Sequence, residues 1–106
     1  MNKEIREFSL TGECEMLNEL FLIIEDRKAN PTNESYTAKL LADGEDRILQ
    51  KIGEEAVELI LAAKGQGNQR LIEETADLFY HVFVMLVAKD LTLEDVESEL
   101  RMRHEK

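Results

Sequence analysis

KIGEEAVELILAAKGQGNQRLIEETADLFYH, residues 51–81, decides the fold of this 106-residue chain. Its first part is an apolar, helix-favouring run that carries Glu54, Glu55 and Glu58 within less than two turns. Its last part repeats the act with Glu73, Glu74 and Asp77. Between them GQGN, residues 65–68, is too short and too rich in glycine for anything but a tight reversal, so a helix over 69–89 must return antiparallel to one over 45–64. At 100° per residue Ile48, Leu49, Ile52, Ala56, Leu59, Ile60 and Ala63 gather on one face of the first of these helices. Ile72, Thr75, Phe79, Phe83 and Leu86 gather on one face of the second, and both faces are expected to be core. Glu73, Glu74, Asp77 and His81 then share the opposite side of the second helix.

The reversal sets Glu54, Glu55 and Glu58 at about the height of Glu74 and Asp77, so that four or five carboxylates can converge. Two like charges 4 Å apart repel by ~1 kcal/mol in water and by ~4 kcal/mol at an effective dielectric constant of 20, and a bound cation removes that repulsion. A donor set of hard oxygens without cysteine favours Mg²⁺, or Mn²⁺, over Zn²⁺. A di-iron site would want Glu-x-x-His, whereas the third residue after Glu74 is Asp77. The competing reading is a solvated acidic face, the normal exterior of such helices. His81, one turn after Asp77, is either a partner of the metal ligands or a core histidine bonded to an acidic neighbour. Tyr80, Phe79 and Phe83 are read as packing groups. Arg27, Lys28, Lys39, Arg47 and Lys51 are either surface salt-bridge partners or phosphate contacts flanking a metal. GQGN is no phosphate cradle, since it lacks the length and the following Lys-Ser/Thr of a P-loop.

Outward from this hairpin, Thr92 is placed to cap a last helix running to about His104, with Glu94 and Asp95 at the positive end of its dipole. On the other side Ser35 caps a short helix, YTAKLLA, that Asp43-Gly44 terminates. A further helix starts from Thr11 as N-cap and ends near Ala29, because Asn30-Pro31 disfavours continuation. Residues 1–10 show no periodicity and are expected to be a flexible lead-in to a single domain over 11–106. No period-two pattern occurs, so the fold class is all-α, a small bundle of about five helices. VFVMLVA, residues 82–88, leaves no polar face on its half of its helix. Val84 and Ala88 continue the side that carries Asp77, so a second copy of the chain is expected to cover that side.

A formal net charge of −10 disfavours nucleic acid or an anionic membrane as partner, and implies that a bound polyphosphate is screened by cations. The lone Cys14 cannot form an intramolecular disulfide, and MNKEIREFSL lacks the apolar core of a signal peptide, which points to the cytoplasm. The run 82–88 is far short of the roughly 20 residues that span a bilayer.

IEDRKANPTNESYTAKLLADGEDRILQKIGEEAVELILAAKG, residues 24–65, followed by EETADLFYHVFVMLVAKDLTLEDV, residues 73–96, resembles the phosphoribosyl-ATP pyrophosphohydrolase family of histidine biosynthesis, over about residues 17–104. The wider group is the all-α, MazG-like nucleotide pyrophosphohydrolases, with the signature E-E-x-x-E, spacer, E-x-x-D, which falls here on Glu54, Glu55, Glu58, Glu74 and Asp77. The run SYTAKLL-x-x-GEDRILQK-x-GEEA-x-E marks the histidine-pathway branch.

The resemblance implies a homodimer and Mg²⁺-dependent hydrolysis of 1-(5-phosphoribosyl)-ATP to 1-(5-phosphoribosyl)-AMP and pyrophosphate. It implies metal ligation by the five acidic residues, with Glu55 or Glu74 orienting the water. Phosphates would go to Arg27, Lys28, Lys39, Arg47 and Lys51, and Ser35, Tyr36 and Thr37 would be neutral donors to substrate oxygens. The alternatives are a housecleaning pyrophosphatase acting on (deoxy)nucleoside triphosphates with the same acidic site, and a helical interaction module without catalysis, which would have no reason to align the acidic stripes.

Overall fold

The computed structural model describes residues 3–104, with side chains from residue 15 onward. Five helices follow one another: α1 Lys3–Ala29, α2 Tyr36–Asp43, α3 Glu45–Gly65, α4 Asn68–Ala88 and α5 Leu93–His104. No strand occurs among the described residues, and no helix there is long and apolar enough to cross a membrane.

Local chemistry sets most of the boundaries. Ser35 Oγ accepts from the Ala38 amide at 3.0 Å and caps α2, satisfying one of the donors that a helix start leaves free. Gly44 ends α2 and opens α3 at φ 104°, and Gly67 opens α4 at φ 90°, a region that residues with a Cβ rarely enter. Only Gln66 and Gly67 separate α3 from α4. Thr92 and Asp95 exchange bonds at the start of α5, Thr92 Oγ1 accepting from the Asp95 amide at 3.1 Å and Asp95 Oδ2 from the Thr92 amide at 2.9 Å, a capping box. The C-terminus of α4 closes with Asp90 at φ 61° and the Leu91 amide donating to Leu86 O at 2.9 Å, as in a Schellman turn. Lys28 Nζ completes it, donating to Val87 O at 3.1 Å and Asp90 Oδ1 at 2.7 Å. The first helix departs from expectation: it begins at Lys3, so Thr11 is an interior position and not a cap.

The α3–α4 hairpin makes the most extensive contact in the molecule, α1 lies on α4, and α2 wedges between α1, α3 and α4. The core gathers at one end of the hairpin, where Phe21 and Ile24 of α1, Leu40 of α2 and Ile48 of α3 meet Phe83, Val84, Leu86 and Val87 of α4. Phe21 meets Phe83 edge-on at 5.4 Å. Each fully buried aliphatic here stabilises the fold by roughly 1.5–3 kcal/mol. Leu93 ties α5 to this cluster, and no residue of α5 is fully buried.

Two expected faces are rotated. On α3, Ile48 is buried and Ile52, Ala56 and Leu59 are half-buried, but Leu49 and Ala63 are exposed, Ile60 is 61% exposed, and Ala62 is buried instead. On α4, Phe83 and Leu86 are buried and Thr75 half-buried, whereas Ile72 is 61% and Phe79 47% exposed. Glu74 and His81, expected opposite the core, are among the buried residues. The reason is that α1 and α2 cover only the second half of α4, so its first half finds its interior against α3 and turns its polar row there. Val84 is correspondingly fully buried and Ala88 half-buried within the chain, which removes them as the surface awaiting a second copy.

Candidate active site

α3 and α4 run past each other so that Glu55 of one meets Glu74 and Asp77 of the other, each offering a carboxylate oxygen within 4.8 Å of the other two. Glu74 is 5% exposed, Glu55 half-buried and Asp77 exposed, so the group opens to solvent on the Asp77 side. Burial, above all, pushes the Glu55 carboxyl above its ordinary value of 4.5; Lys51 and His81 pull it back, while Asp77 and Glu74 push it further up. Lys51, one turn before Glu55, reaches Glu55 at 3.8 Å and Glu54 at 3.6 Å. Hard oxygens from two helices, one nearly buried, fit a hard divalent cation.

His81 closes the inner end. The residue is 6% exposed, and Nδ1 lies 2.8 Å from the Asp77 carbonyl oxygen. A carbonyl only accepts, so Nδ1 carries the proton and donates. Nε2 is buried without a partner among the described residues. Tyr80 packs edge-on against this imidazole at 4.9 Å, and Tyr36 at 6.5 Å while stacking on Tyr80 at 6.4 Å. Tyr80 also bonds through its hydroxyl to Thr37 Oγ1, and burial raises the pKa of its phenol. The start of α2 is thus fixed beside the acidic group, with the Tyr36 ring half in solvent.

Other expected site residues sit differently. Glu54 and Glu58 are exposed on α3, outside the three-carboxylate group, and Glu54 accepts from Gln50 Nε2 at 3.1 Å. Ser35 is occupied as the α2 cap. Arg27 pairs with Asp26 at 3.0 Å. Lys28 is engaged at Val87, 13 residues along α4 from Glu74, or about 20 Å at 1.5 Å per residue. Lys39 and Arg47 are exposed, and neither makes an ion pair among the described residues.

Sequence reasoning missed Arg70. It donates from Nη1 to Glu73 Oε1 at 2.7 Å and from Nη2 to Glu74 Oε2. The signal was present in R-x-x-E-E, which places the guanidinium at i,i+3 and i,i+4 from two acids. These bonds, with one from Gln69, hold the Glu73 carboxyl below the usual range, and the same two acids raise the Arg70 pKa.

The family model described as phosphoribosyl-ATP pyrophosphohydrolase matches residues 17–104. Curated relatives carry the name phosphoribosyl-ATP pyrophosphatase. The Bacillus mycoides (strain KBAB4) protein is 48% identical over 92 residues, covering 87% of this chain and 86% of its own length. The Clostridium botulinum (strain Hall) protein is 47% identical over 91 residues, 86% and 83% of the two chains. The Geotalea daltonii protein is 46% identical over 89 residues, 84% of each. An all-α hairpin with a shared carboxylate group, matched in this way, is a hydrolase acting on a phosphoanhydride. The chain belongs to the phosphoribosyl-ATP pyrophosphohydrolase family.

Proposed function

We propose that this chain hydrolyses the α–β phosphoanhydride of 1-(5-phosphoribosyl)-ATP, adding one water and releasing 1-(5-phosphoribosyl)-AMP and pyrophosphate, the second step of histidine biosynthesis, as a cytoplasmic single-domain enzyme. The observation that carries this reading is the convergence of Glu55, Glu74 and Asp77 from two helices in a chain of this family. These three hold the Mg²⁺, or Mn²⁺, and Glu54 and Glu58 lie outside them as further α3 carboxylates facing solvent. Bound there, the divalent ion neutralises charge on the polyphosphate. Glu55 or Glu74, the two least exposed carboxylates of the three, orients the attacking water and accepts its proton. His81 supports them through its bond to the Asp77 carbonyl. Lys51 takes a phosphate at the rim of the group, and Arg27, Lys39 and Arg47 remain candidate phosphate contacts by their charge. Tyr36 and Thr37, held against Tyr80, present the neutral wall at which a substrate enters. Lys28, the remaining candidate phosphate contact, bonds the Val87 carbonyl and Asp90 at the α4 terminus.

A homodimer belongs to the same proposal. The rotation of α3 and α4 leaves Leu49, Val57, Ile60 and Leu61 at helical spacing on α3, with Ile72 and Phe79 on α4, all exposed. An apolar stripe of that length on a small domain is best covered by a second copy.

The test is pyrophosphate release from phosphoribosyl-ATP, ATP and the deoxynucleoside triphosphates, each with Mg²⁺ and with chelator. Expected is Mg²⁺-dependent release with phosphoribosyl-ATP strongly preferred. Equal or better turnover of ordinary triphosphates would transfer the chain to the housecleaning class.

A further inference from the structure

Glu74 is the most buried carboxylate of the group, and an ionised carboxylate so far from water requires a partner. In the described chain that partner is Arg70, one turn earlier on α4, whose two terminal nitrogens are divided between Glu73 and Glu74. Glu74 is also one of the three residues whose oxygens lie within 4.8 Å of one another. The same carboxylate is therefore claimed twice, by a guanidinium already present and by the divalent cation that the donor set fits. His81 Nε2, one turn along α4 from Asp77 and buried without a partner among the described residues, marks the inner end as built for more than the protein's own bonds.

Arg70 holds Oε2 and leaves Oε1 of Glu74 to a metal, but a guanidinium and a divalent ion on one carboxylate repel each other, and the contact of the singly charged partner is the one weakened. Arg70 then keeps its second hold, on exposed Glu73, which tethers it at the rim. A planar fork of N–H donors positioned there matches a phosphate. We propose that Arg70 is a counter-ion that the metal displaces from Glu74, and that the displaced guanidinium, tethered by Glu73, becomes a phosphate-binding group for the nucleotide. This rests on the metal site proposed above. Arg70 would thus stabilise the metal-free chain, oppose metal uptake, and favour substrate once metal is in place.

Those opposite signs are the test. Mn²⁺ is titrated calorimetrically into the nucleotide-free full chain, and into Arg70→Gln and Arg103→Gln. The last removes a cation from α5, where Arg103 pairs with Glu99, and so corrects for net charge alone. Arg70→Gln is expected to bind Mn²⁺ at least about tenfold more tightly than Arg103→Gln, the effect in water of one unit charge on a divalent ion about 6 Å away. With metal saturating, it is expected to raise KM for phosphoribosyl-ATP. Mn²⁺ binding equal to or weaker than that of Arg103→Gln overturns the proposal, as does an unchanged KM. If the unmodified chain takes up no Mn²⁺ beyond a matched ionic-strength control, the metal-site reading itself falls and this inference with it. Should Arg70→Gln fail to fold, ¹⁵N NMR of the guanidinium groups in the unmodified chain decides. Hindered rotation of the Arg70 Nη2 group, the one bonded to Glu74, is expected to be relieved as Mg²⁺ saturates while Nη1 stays held by Glu73, and persistence of the hindrance at Nη2 overturns displacement.

Discussion

Glu55 sits half-buried against Asp77 and Glu74, with Lys51 at 3.8 Å as its nearest cation. Its pKa is raised, with burial the largest cause, so in the metal-free chain ionising it opposes folding. The sign follows from proton counting. Between the ordinary value of 4.5 and the higher folded value, the unfolded chain has released a proton that the folded chain still holds, and stability falls as pH rises. Below that window the group is neutral in both states and contributes nothing. Glu55→Gln in chelator is therefore expected to melt like the unmodified chain at pH 4 and above it at pH 7. A thermal melt series across that range checks it, and a constant offset between the two proteins would refute the raised pKa. Mg²⁺ should reverse the order at pH 7, because the glutamine removes a ligand oxygen and with it the binding contribution to stability.

Among the elements, α2 places Tyr36 and Thr37 beside the acidic group, and it is only eight residues long. A helix so short relies on its cap. Ser35→Ala is expected to reduce stability by about 1 kcal/mol, visible as a fall in Tm of roughly 4–8 °C for a small domain. Since α2 also sets the Tyr80 contact, the KM for phosphoribosyl-ATP should rise more than kcat falls. An unchanged Tm would show that packing through Ala38 and Leu40 alone holds α2. The punctuation of these elements was legible in the sequence because it is local: Ser35, Gly44, Gly67 and Thr92 each do their work within a few residues. The start of α1 was not legible, since Thr11 suits a cap but the chain before it is helical too. The rotation of α4 was hidden for a different reason. Its first half has apolar residues on one side and acids on the other, and the usual rule puts the apolar side in. A site that must bury Glu74 and His81 breaks that rule, and no pattern within α4 alone shows which side α1 and α2 will cover.

At the scale of the molecule, the acidic group and the exposed apolar stripe are two sides of one hairpin. Turning Glu55, Glu74 and His81 inward turns Val57, Ile60, Ile72 and Phe79 out. Light scattering at micromolar concentration is expected to give twice the 12.2 kDa of one chain, and Ile60→Asp to shift it towards the monomer with helicity retained. A monomeric unmodified chain with full activity would remove the dimer from the proposed function. The signature carboxylates were visible in the sequence as two runs, yet only three of the five residues have oxygens within 4.8 Å of one another, and Glu54 and Glu58 are exposed on α3 outside that group. Asp77 is the member best suited to a decisive substitution. It is exposed, and its side chain makes no hydrogen bond among the described residues, so Asp77→Asn changes charge with little effect on the fold. The measurement is Mg²⁺-dependent pyrophosphate release from phosphoribosyl-ATP by the unmodified chain and by Asp77→Asn, at matched Tm. Loss of activity by roughly a hundredfold or more, the upper end of what even partners outside the metal's ligand shell contribute, is the expected result; an Asp77→Asn variant that releases pyrophosphate at the unmodified rate would contradict it.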